Sequence, residues 1–396
     1  PFAVQLYIFA NVLWYYLDFE DSWQDTQDVS RRDFCYQWTV DQFPFVFGYI
    51  TGNTLYSEEK FSDVTELVSN VQNNGILELI KNADWLDDDS LENAQKKAEL
   101  MELYVGYPES VSDSAGITDY YKDVAEMDSK DPWLTNVQKM NNWYANQTVG
   151  SFTNNVFQIL DEWPIIFSQK DAFRYWLTGV NAFYYPGPPV DGANFFTIPA
   201  TISQEPFFNS EYPSAVNFGG LGSVCGHEMS HGFDPNGFQY SYNGTDVGSI
   251  LSDDDTTYYF DEIECYIQQY DALPVRRNDD LFDNGTRTQT ENVADNAGLR
   301  ASYLAWRTYK SGTDGKNEKT VLPGVDLTEK QLFFWSWAHL WCDVNRPDVF
   351  KNYTNEHSPH WTRVIGSLQN SQEFQDAFSC VPEEDFMSSE DKCTLW

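Results

Sequence analysis

The chain has 396 residues and is strongly acidic, with 24 Lys and Arg against 61 Asp and Glu and a formal net charge of −37. Hydrophobic residues make up 41% and aromatic residues 17%, which excludes a disordered acidic tail and allows a large core. The net charge argues against binding to nucleic acid or to an anionic membrane surface, because both require a basic face.

The first 150 residues are predicted to be mainly helical. Residues 1–17 are apolar, but Gln5 and Asn11 interrupt the run, so it is interpreted as a buried helix rather than a membrane span. A second helix is predicted to begin with Asp89 or Ser90 as its N-cap, because apolar residues then recur at spacings of three and four. Glycine and proline near position 106 are expected to end that helix.

The rest of the chain also favours helix, with few strand signals. Aromatic and β-branched residues predict strands within 173–185 and 195–200, and the glycine-rich segment 217–226 leads into a helix. Two further helices are expected to begin at Glu291 and to span 331–344. Between the predicted elements, polar or Gly- and Pro-rich segments indicate loops at 109–119, 186–194, 276–290 and 311–326. A domain boundary is placed near residue 150.

The segment GHEMSHGFD, residues 226–234, carries the chemistry. His227 and His231 are four residues apart, so on a helix both imidazoles project from one face and can bind one zinc ion. Glu228 follows the first histidine and can reach a water molecule at the metal. The alternative without a metal is a helix with two surface histidines. The presence of a third ligand distinguishes a zinc site from this alternative.

The segment ENVADNAG, residues 291–298, offers that ligand. Catalytic zinc usually takes three protein ligands and keeps a fourth position open. Glu291 and Asp295 are four residues apart, so on a helix they share one face. One carboxylate can bind the metal while the other accepts the remaining N–H of a ligand histidine. Alone this spacing is a common surface pattern. It supports a metal site only because it follows the histidine pair in the chain.

Several motifs in this order resemble the neprilysin family of zinc metallopeptidases, which includes the endothelin-converting enzymes. The matching segments are VNAFY, GHEMSHGFD, ENVADNAG, QLFFWSWAHLWCDV, EHSPHWTRVIG and the terminal CTLW. The resemblance implies a mainly α fold with a small β-sheet, in which a thermolysin-like zinc lobe and part of a second helical lobe enclose a cavity. Residues 151–396 would form the catalytic domain and residues 1–150 the partial second lobe, with the family's N-terminal portion lying upstream.

The resemblance also implies roles for individual residues. His227, His231 and Glu291 would bind one Zn²⁺ ion, and Glu228 would be the general base. The remaining implied roles are as follows: Asp295 orients His227, Asp234 supports His231, His357 stabilises the oxyanion, Asn181 and Ala182 bind the peptide backbone, Arg363 binds a substrate carbonyl, and Val224 and Trp341 line a hydrophobic pocket. Cleavage would fall on the amino side of a large apolar residue. His339 and His360 are interpreted as structural, as is Cys225, a small buried filler.

Six cysteines and four N-glycosylation sequons, at Asn146, Asn243, Asn284 and Asn352, favour an extracellular or luminal setting. Sequence alone leaves 15 cysteine pairings open. The resemblance implies a Cys265–Cys393 bond, and partners upstream of this chain for Cys35, Cys342 and Cys380. Pro235 departs from the family, which usually has a second acidic residue there.

The expected function is hydrolysis of small peptides by a zinc-dependent endopeptidase. A membrane contact is expected only through an upstream anchor, and the oligomeric state stays open. One alternative is a catalytically inactive peptide-binding relative, which would be marked by loss of Glu228 or a zinc ligand; all of these are present. The other alternative is a non-functional truncated fragment.

Overall fold

A computed structural model of the chain describes residues 43–106, 113–124, 179–187, 194–276, 280–312, 322–344, 353–382 and 386–396, with short runs and single positions between 36 and 143 and near 320 and 350. The predicted helix over 1–17 and the boundary near residue 150 lie outside the described residues, so both stay predictions. Most of the predicted loop at 186–194 and Cys35 also lie outside the described residues.

Helices dominate the described part of the chain, as predicted. They are α1 Pro44–Leu55, α2 Glu58–Val71, α3 Leu77–Lys81, α4 Asp88–Glu99, α5 Ser114–Tyr120, α6 Ser214–Asn217, α7 Ser223–Ser230, α8 Asp253–Asp271, α9 Gly285–Gly312, α10 Glu329–Leu340, α11 His360–Gln369 and α12 Gln372–Phe378. Short π-helical segments, Gln72–Ile76 and Phe218–Gly222, join α2 to α3 and α6 to α7. Such segments are often found at functional sites, and the second one leads directly into the helix with the histidine pair.

Three strands, β1 Glu102–Gly106, β2 Phe183–Tyr185 and β3 Phe195–Pro199, form one small sheet in the order β1-β3-β2. β1 is parallel to β3 and β2 is antiparallel to it. The strand expected within 195–200 is confirmed, and that expected within 173–185 is described only for its last three residues. β1 was not predicted. Within the described sheet β2 is an edge strand, and Asn181 and Ala182 directly precede it.

Several predicted helix ends were wrong, because polar side chains cap the helices at other positions. Helix α4 is capped by Asp87, whose carboxylate accepts the Ser90 N–H. Helix α5 occupies part of the predicted loop at 109–119 and is capped by Asp113. The largest difference is in α9, which begins at Gly285, six residues before the predicted start at Glu291. Its first turn is held by Asn284, whose Oδ1 accepts the Arg287 N–H at 2.9 Å.

The long helix α9 packs against α7 with backbone touching backbone. A Cβ atom added to Gly298 would lie only 2.6 Å from the carbonyl carbon of Gly226 and would overlap the backbone nitrogen of His227. Glycine at both positions therefore permits a separation that no side chain allows. Because α7 carries the histidines and α9 carries Glu291, this close approach determines the geometry of the site.

One apolar core joins residues from Tyr56 to Met101 with residues from Ala182 to Trp396. The Cys265–Cys393 disulfide implied by the resemblance is present, with the Cα atoms 5.7 Å apart. Cys225 is fully buried, as expected for an apolar filler, whereas Cys342 is exposed. Among the described residues, none of the helices combines the length and the apolar character that crossing a bilayer requires.

Candidate metal centre and active site

His227 and His231 lie one turn apart on α7, the second at the C-cap of the helix. Their rings are nearly perpendicular, and the two Nε2 atoms are 3.1 Å apart. The Nδ1 atoms are engaged elsewhere: that of His227 lies 2.8 Å from Asp295 Oδ1 and that of His231 lies 2.7 Å from Asp234 Oδ2. A carboxylate at Nδ1 holds the proton there. The two Nε2 lone pairs therefore face each other.

Glu291 brings a carboxylate oxygen to the same point from α9. Its Oε2 lies 3.2 Å from His227 Nε2 and 3.6 Å from His231 Nε2. This oxygen is buried and has no hydrogen-bond partner among the described residues. Two facing lone pairs and a buried carboxylate oxygen repel each other unless a proton or a metal ion lies between them.

The three atoms fit a zinc ion. Tetrahedral zinc binds His nitrogen and carboxylate oxygen at about 2.0–2.1 Å, which places the ligand atoms about 3.3–3.4 Å from one another. The separations among His227, His231 and Glu291 are 3.1, 3.2 and 3.6 Å. Two imidazoles and one carboxylate are also a donor set that zinc prefers.

His357 is a fourth group at this point, since its Nε2 lies 3.1 Å from Glu291 Oε2. By distance alone His227, Glu291 and His357 also form a possible metal-binding triad. We favour His231 as the ligand because a buried carboxylate holds its Nδ1. The side chain of His357 is 39% exposed, and its Nδ1 faces only the amide oxygen of Asn355 at 3.0 Å.

Asp295 links His227 to Arg363. The Asp295 side chain is fully buried, and its two oxygens accept hydrogen bonds from Arg363 Nε and Nη2 at 2.7 and 2.6 Å. Burial raises the pKa of Asp295, but Arg363 and His227 outweigh it and lower that pKa. The bidentate pair fixes the carboxylate plane and thereby the ring of His227.

The ionisation of His227 and Glu291 is shifted in opposite directions. Burial lowers the pKa of His227, but its contacts with the carboxylates of Asp295 and Glu291 outweigh burial and raise that pKa to about 10. Burial raises the pKa of Glu291, but the neighbouring histidines outweigh it and hold that pKa well below its usual range. Without a metal the site therefore retains a proton, which a cation must displace on binding.

Asp234 supports His231 from within a single turn of chain. Its Oδ1 accepts the N–H groups of Asn236 and Gly237 at 2.7 and 2.6 Å. Lys97 braces the same turn: its buried ammonium donates to the carbonyls of Gly237 and Tyr240 at 2.6 and 2.7 Å. Burial lowers the pKa of Lys97 to about 7, although Asp234 opposes the shift. Pro235 lies in this turn, and its carbonyl accepts a hydrogen bond from Gln239 Nε2 at 2.8 Å.

Glu228 is buried beside the histidines and lines the adjoining cavity. Burial raises its pKa, and the nearby His227 and His231 oppose the shift. A carboxylate whose pKa is raised towards neutrality is a better proton acceptor and donor than an exposed one.

The site opens into a cavity of about 640 Å³. It brings together every candidate site residue from the sequence analysis: His227, Glu228, His231, Glu291, Asp295, His357, Asn181, Ala182, Val224, Trp341, Arg363 and Asp234. Arg363 lies 3.8 Å from the ring of Trp341, so its guanidinium stacks on the apolar wall. Their roles in binding or catalysis stay predictions.

Sequence reasoning missed three features of this site. The Arg363–Asp295 pair joins residues 68 positions apart, and no local pattern indicates it. The tether of Lys97 to the Gly237 turn is equally remote. The third is Arg287, which lines the cavity one helical turn before Glu291; a correct start for α9 would have revealed it.

His339 stacks on Trp335 and His360 contacts Asp343, and neither lines the cavity.

The sequence profile of peptidase family M13 matches residues 181–395, and its N-terminal counterpart matches residues 11–108. The chain belongs to peptidase family M13. It is 32% identical to neprilysin of Oryctolagus cuniculus over 377 residues, which covers 88% of this chain and 45% of neprilysin. It is 30% identical to endothelin-converting enzyme 1 of Rattus norvegicus over 370 residues, covering 93% and 45% of the two chains.

A solved structure gives the same family. The electron cryo-microscopy structure of the zinc metalloprotease ZMP1 of Mycobacterium tuberculosis in an open state superposes with a TM-score of 0.70 at 26% identity, covering 91% of this chain and 52% of that one. The mainly α fold with a small sheet is thereby confirmed for this M13 member. The chain spans about half the length of the curated relatives that it matches.

Proposed function

We propose that the protein is a zinc-dependent endopeptidase of small peptides. The single observation that carries this proposal is the convergence of His227 Nε2, His231 Nε2 and Glu291 Oε2 within 3.1–3.6 Å of one another, beside the buried carboxylate of Glu228 and at the wall of a large cavity. Membership of family M13 supports it.

His227, His231 and Glu291 would hold the zinc ion. When bound, zinc acts as a Lewis acid on a carbonyl oxygen and makes water acidic enough to ionise near neutral pH. Asp295 and Asp234 keep the Nδ1 protons in place, so both Nε2 atoms present lone pairs to the metal. Because Arg363 neutralises Asp295, that carboxylate stays ionised in a buried position.

Glu228 would move the protons of the reaction. Hydrolysis adds a hydroxyl group to the scissile carbonyl carbon and a proton to the leaving nitrogen. Glu228 would accept the proton that the attacking water loses and deliver it to the amine as the C–N bond breaks. Its burial raises its pKa, which suits a group that first accepts and then donates a proton.

His357 would stabilise the negative charge that develops on the carbonyl oxygen. Its Nε2 lies within 3.1 Å of Glu291 Oε2 and so at the reaction centre, and its partial exposure lets the ring adjust to a bound substrate. Asn181 and Ala182, next to the edge strand β2, would hydrogen-bond the backbone of an extended peptide. Arg363 would contact a substrate carbonyl with its remaining donors.

Val224 and Trp341 would determine the preference for one substrate side chain. Both line the cavity. Trp341 contacts Arg363, and Val224 lies three residues before His227 on the same face of α7. Together they would form an apolar recess that selects a large apolar residue directly after the scissile bond. Cleavage would then occur on the amino side of that residue.

We also propose an extracellular or luminal setting. The Cys265–Cys393 disulfide is typical of an oxidising compartment. Two of the four sequon asparagines, Asn243 and Asn284, are exposed among the described residues and accessible to glycosylation. The partners would be small peptides, and any membrane contact would come from a segment upstream of this chain.

The test measures zinc content and cleavage of a quenched peptide with an internal Phe, with and without a chelator. One equivalent of zinc and chelator-sensitive cleavage before Phe are expected. Glu228→Gln should keep the zinc and lose about 10²–10⁴-fold in kcat, because Glu228 is not a ligand but transfers the proton. Zinc without turnover in the parent chain would favour a peptide-binding protein instead, and loss of both would indicate an inactive fragment.

A further inference from the structure

The cavity carries a cationic side chain to which the proposed mechanism assigns no role. Arg287 lies in the first turn of α9, is exposed and lines the cavity. Its Nη1 donates to the Tyr353 carbonyl at 2.6 Å, and it forms no ion pair with a described carboxylate. A cation near the N-terminus of a helix opposes the helix dipole, so the stability of α9 does not explain it.

Arg287 differs from the other arginine of the cavity. Arg363 is buried, and its charge is paired with Asp295 through two hydrogen bonds. In Arg287 only Nη1 donates a hydrogen bond among the described residues, and its acceptor is a neutral carbonyl. The other guanidinium N–H groups are therefore available to a ligand. In a chain with a formal net charge of −37, an arginine without an ion pair among the described residues is a local positive site at this wall. Screening over about 8 Å at physiological salt lets such a local charge act despite the acidic surroundings.

Helix geometry places Arg287 relative to the reaction centre. Residues four apart on a helix share a face, so Arg287, Glu291 and Asp295 lie in a row along α9. Asp295 contacts Arg363, which stacks on Trp341 in the apolar recess. Along α9, Arg287 therefore lies on one side of Glu291, and Asp295, whose partner Arg363 stacks on Trp341, lies on the other.

That arrangement assigns Arg287 to one side of the substrate. If the recess takes the residue after the scissile bond, Arg287 faces the residues before it. Four helical residues rise about 6 Å, and an extended peptide rises about 3.3 Å per residue. The guanidinium is thus within reach of the first or second residue before the scissile bond.

We infer that Arg287 selects peptides with an acidic side chain, Asp or Glu, at the first or second position before the scissile bond. This inference rests on the proposed function, because it uses the metal centre and the recess to orient the peptide. Glu356 also lines the cavity and is exposed, and it forms no ion pair with Arg287 in the described structure. Its charge would weaken the selection without reversing it.

The experiment compares matched quenched peptides that carry Glu, Gln or Lys at the first or the second position before a Phe cleavage site. At one of these positions kcat/KM should be about fivefold higher for Glu than for Gln, the size expected of a partly exposed charge pair. The ratio should fall to about one in Arg287→Gln, and Arg287→Glu should prefer Lys. Glu356→Gln should raise the preference for Glu.

Arg307→Gln is the matched control, because Arg307 is exposed on the same helix but does not line the cavity. It removes the same charge and should leave the ratio unchanged. A Glu/Gln ratio that is near one in the parent chain at both positions, or that persists in Arg287→Gln, overturns the inference.

A binding measurement separates this inference from the proposed function. Zinc-loaded Glu228→Gln should bind the labelled Glu peptide about fivefold more tightly than the Gln peptide by fluorescence anisotropy, and adding Arg287→Gln should equalise the two. If the parent chain cleaves no peptide, the proposed function fails while this comparison still decides the role of Arg287. Cleavage without a charge preference retains the function and removes the inference.

Discussion

The two histidines of the metal centre are supported in different ways. Asp234, which holds His231, comes three residues later in the chain and is fixed by backbone N–H groups of its own turn. Asp295, which holds His227, comes from another helix and is fixed by an arginine from a third. One support is therefore local, whereas the other exists only when α7, α9 and α11 have packed together.

The difference shows how metal affinity is coupled to folding in this protein. The local support can form as soon as the turn after α7 is closed. The remote support requires the backbone contact between Gly226 and Gly298, together with burial of the Arg363–Asp295 pair. We therefore expect the remote half of the site to be the more sensitive to changes away from the metal.

Gly298→Ala should have the largest effect, because it breaks the remote support alone. The added Cβ would overlap the backbone nitrogen of His227 and approach the carbonyl carbon of Gly226 at 2.6 Å, and backbone atoms cannot rotate away. We expect the free energy of unfolding to fall by about 3 kcal/mol in urea denaturation. Gly312→Ala on the same helix is the control, since no described atom lies within 4 Å of its Cβ position. Equal stability of the two variants would contradict the packing argument.

Asp295→Asn should weaken zinc binding about 100-fold, the upper part of the range for residues that support a metal ligand. The amide would place a donor against His227 Nδ1 or Arg363, and it would leave the buried guanidinium without its counter-ion. Competition with a fluorescent chelator measures the affinity. Asp254→Asn, at an exposed position of α8, controls for the loss of one charge. An affinity equal to that of the parent chain would remove Asp295 from the support of the site.

Asp234→Asn should weaken zinc binding less, about tenfold. The amide oxygen can still accept the N–H groups of Asn236 and Gly237, so the turn survives and only the contact to His231 Nδ1 is altered. The same chelator competition gives the comparison with Asp295→Asn. If Asp234→Asn proved the more damaging variant, the local support would be the dominant one and our ranking would be wrong.

Zinc affinity should rise with pH, by about tenfold per pH unit where His227 alone carries a displaceable proton and more steeply at lower pH, because the pKa of His231 is also raised. In the metal-free protein the pKa of His227 is raised to about 10, so at neutral pH a zinc ion must displace a bound proton. The proton competes less as the pH rises, and the dependence should level off as the pH approaches 10. Chelator competition between pH 6 and pH 9 tests this. A flat profile would show that the site binds no proton when the metal is absent.

Much of the site could be predicted because most of its candidate residues lie in a few short sequence motifs. The four-residue spacing of His227 and His231 places both rings on one helix face wherever that helix packs. The bounds of β2 and the early start of α9 were harder to predict. A strand of three residues carries little periodicity, and the first turn of α9 depends on capping by Asn284 rather than on apolar repeats.

By itself the sequence predicted that His227 and His231 share one helix face with Glu228 beside the first of them, because this follows from spacing within one helix. The choice of Glu291 as third ligand and the support of His231 by Asp234 were predicted from the resemblance to a known family. Only the tertiary structure decided that Arg363 pairs with Asp295, that Lys97 braces the Gly237 turn, and that Arg287 faces the cavity. Those contacts join segments far apart in the chain, and they depend on how closely the helices pack. Local sequence patterns do not determine how closely two helices pack.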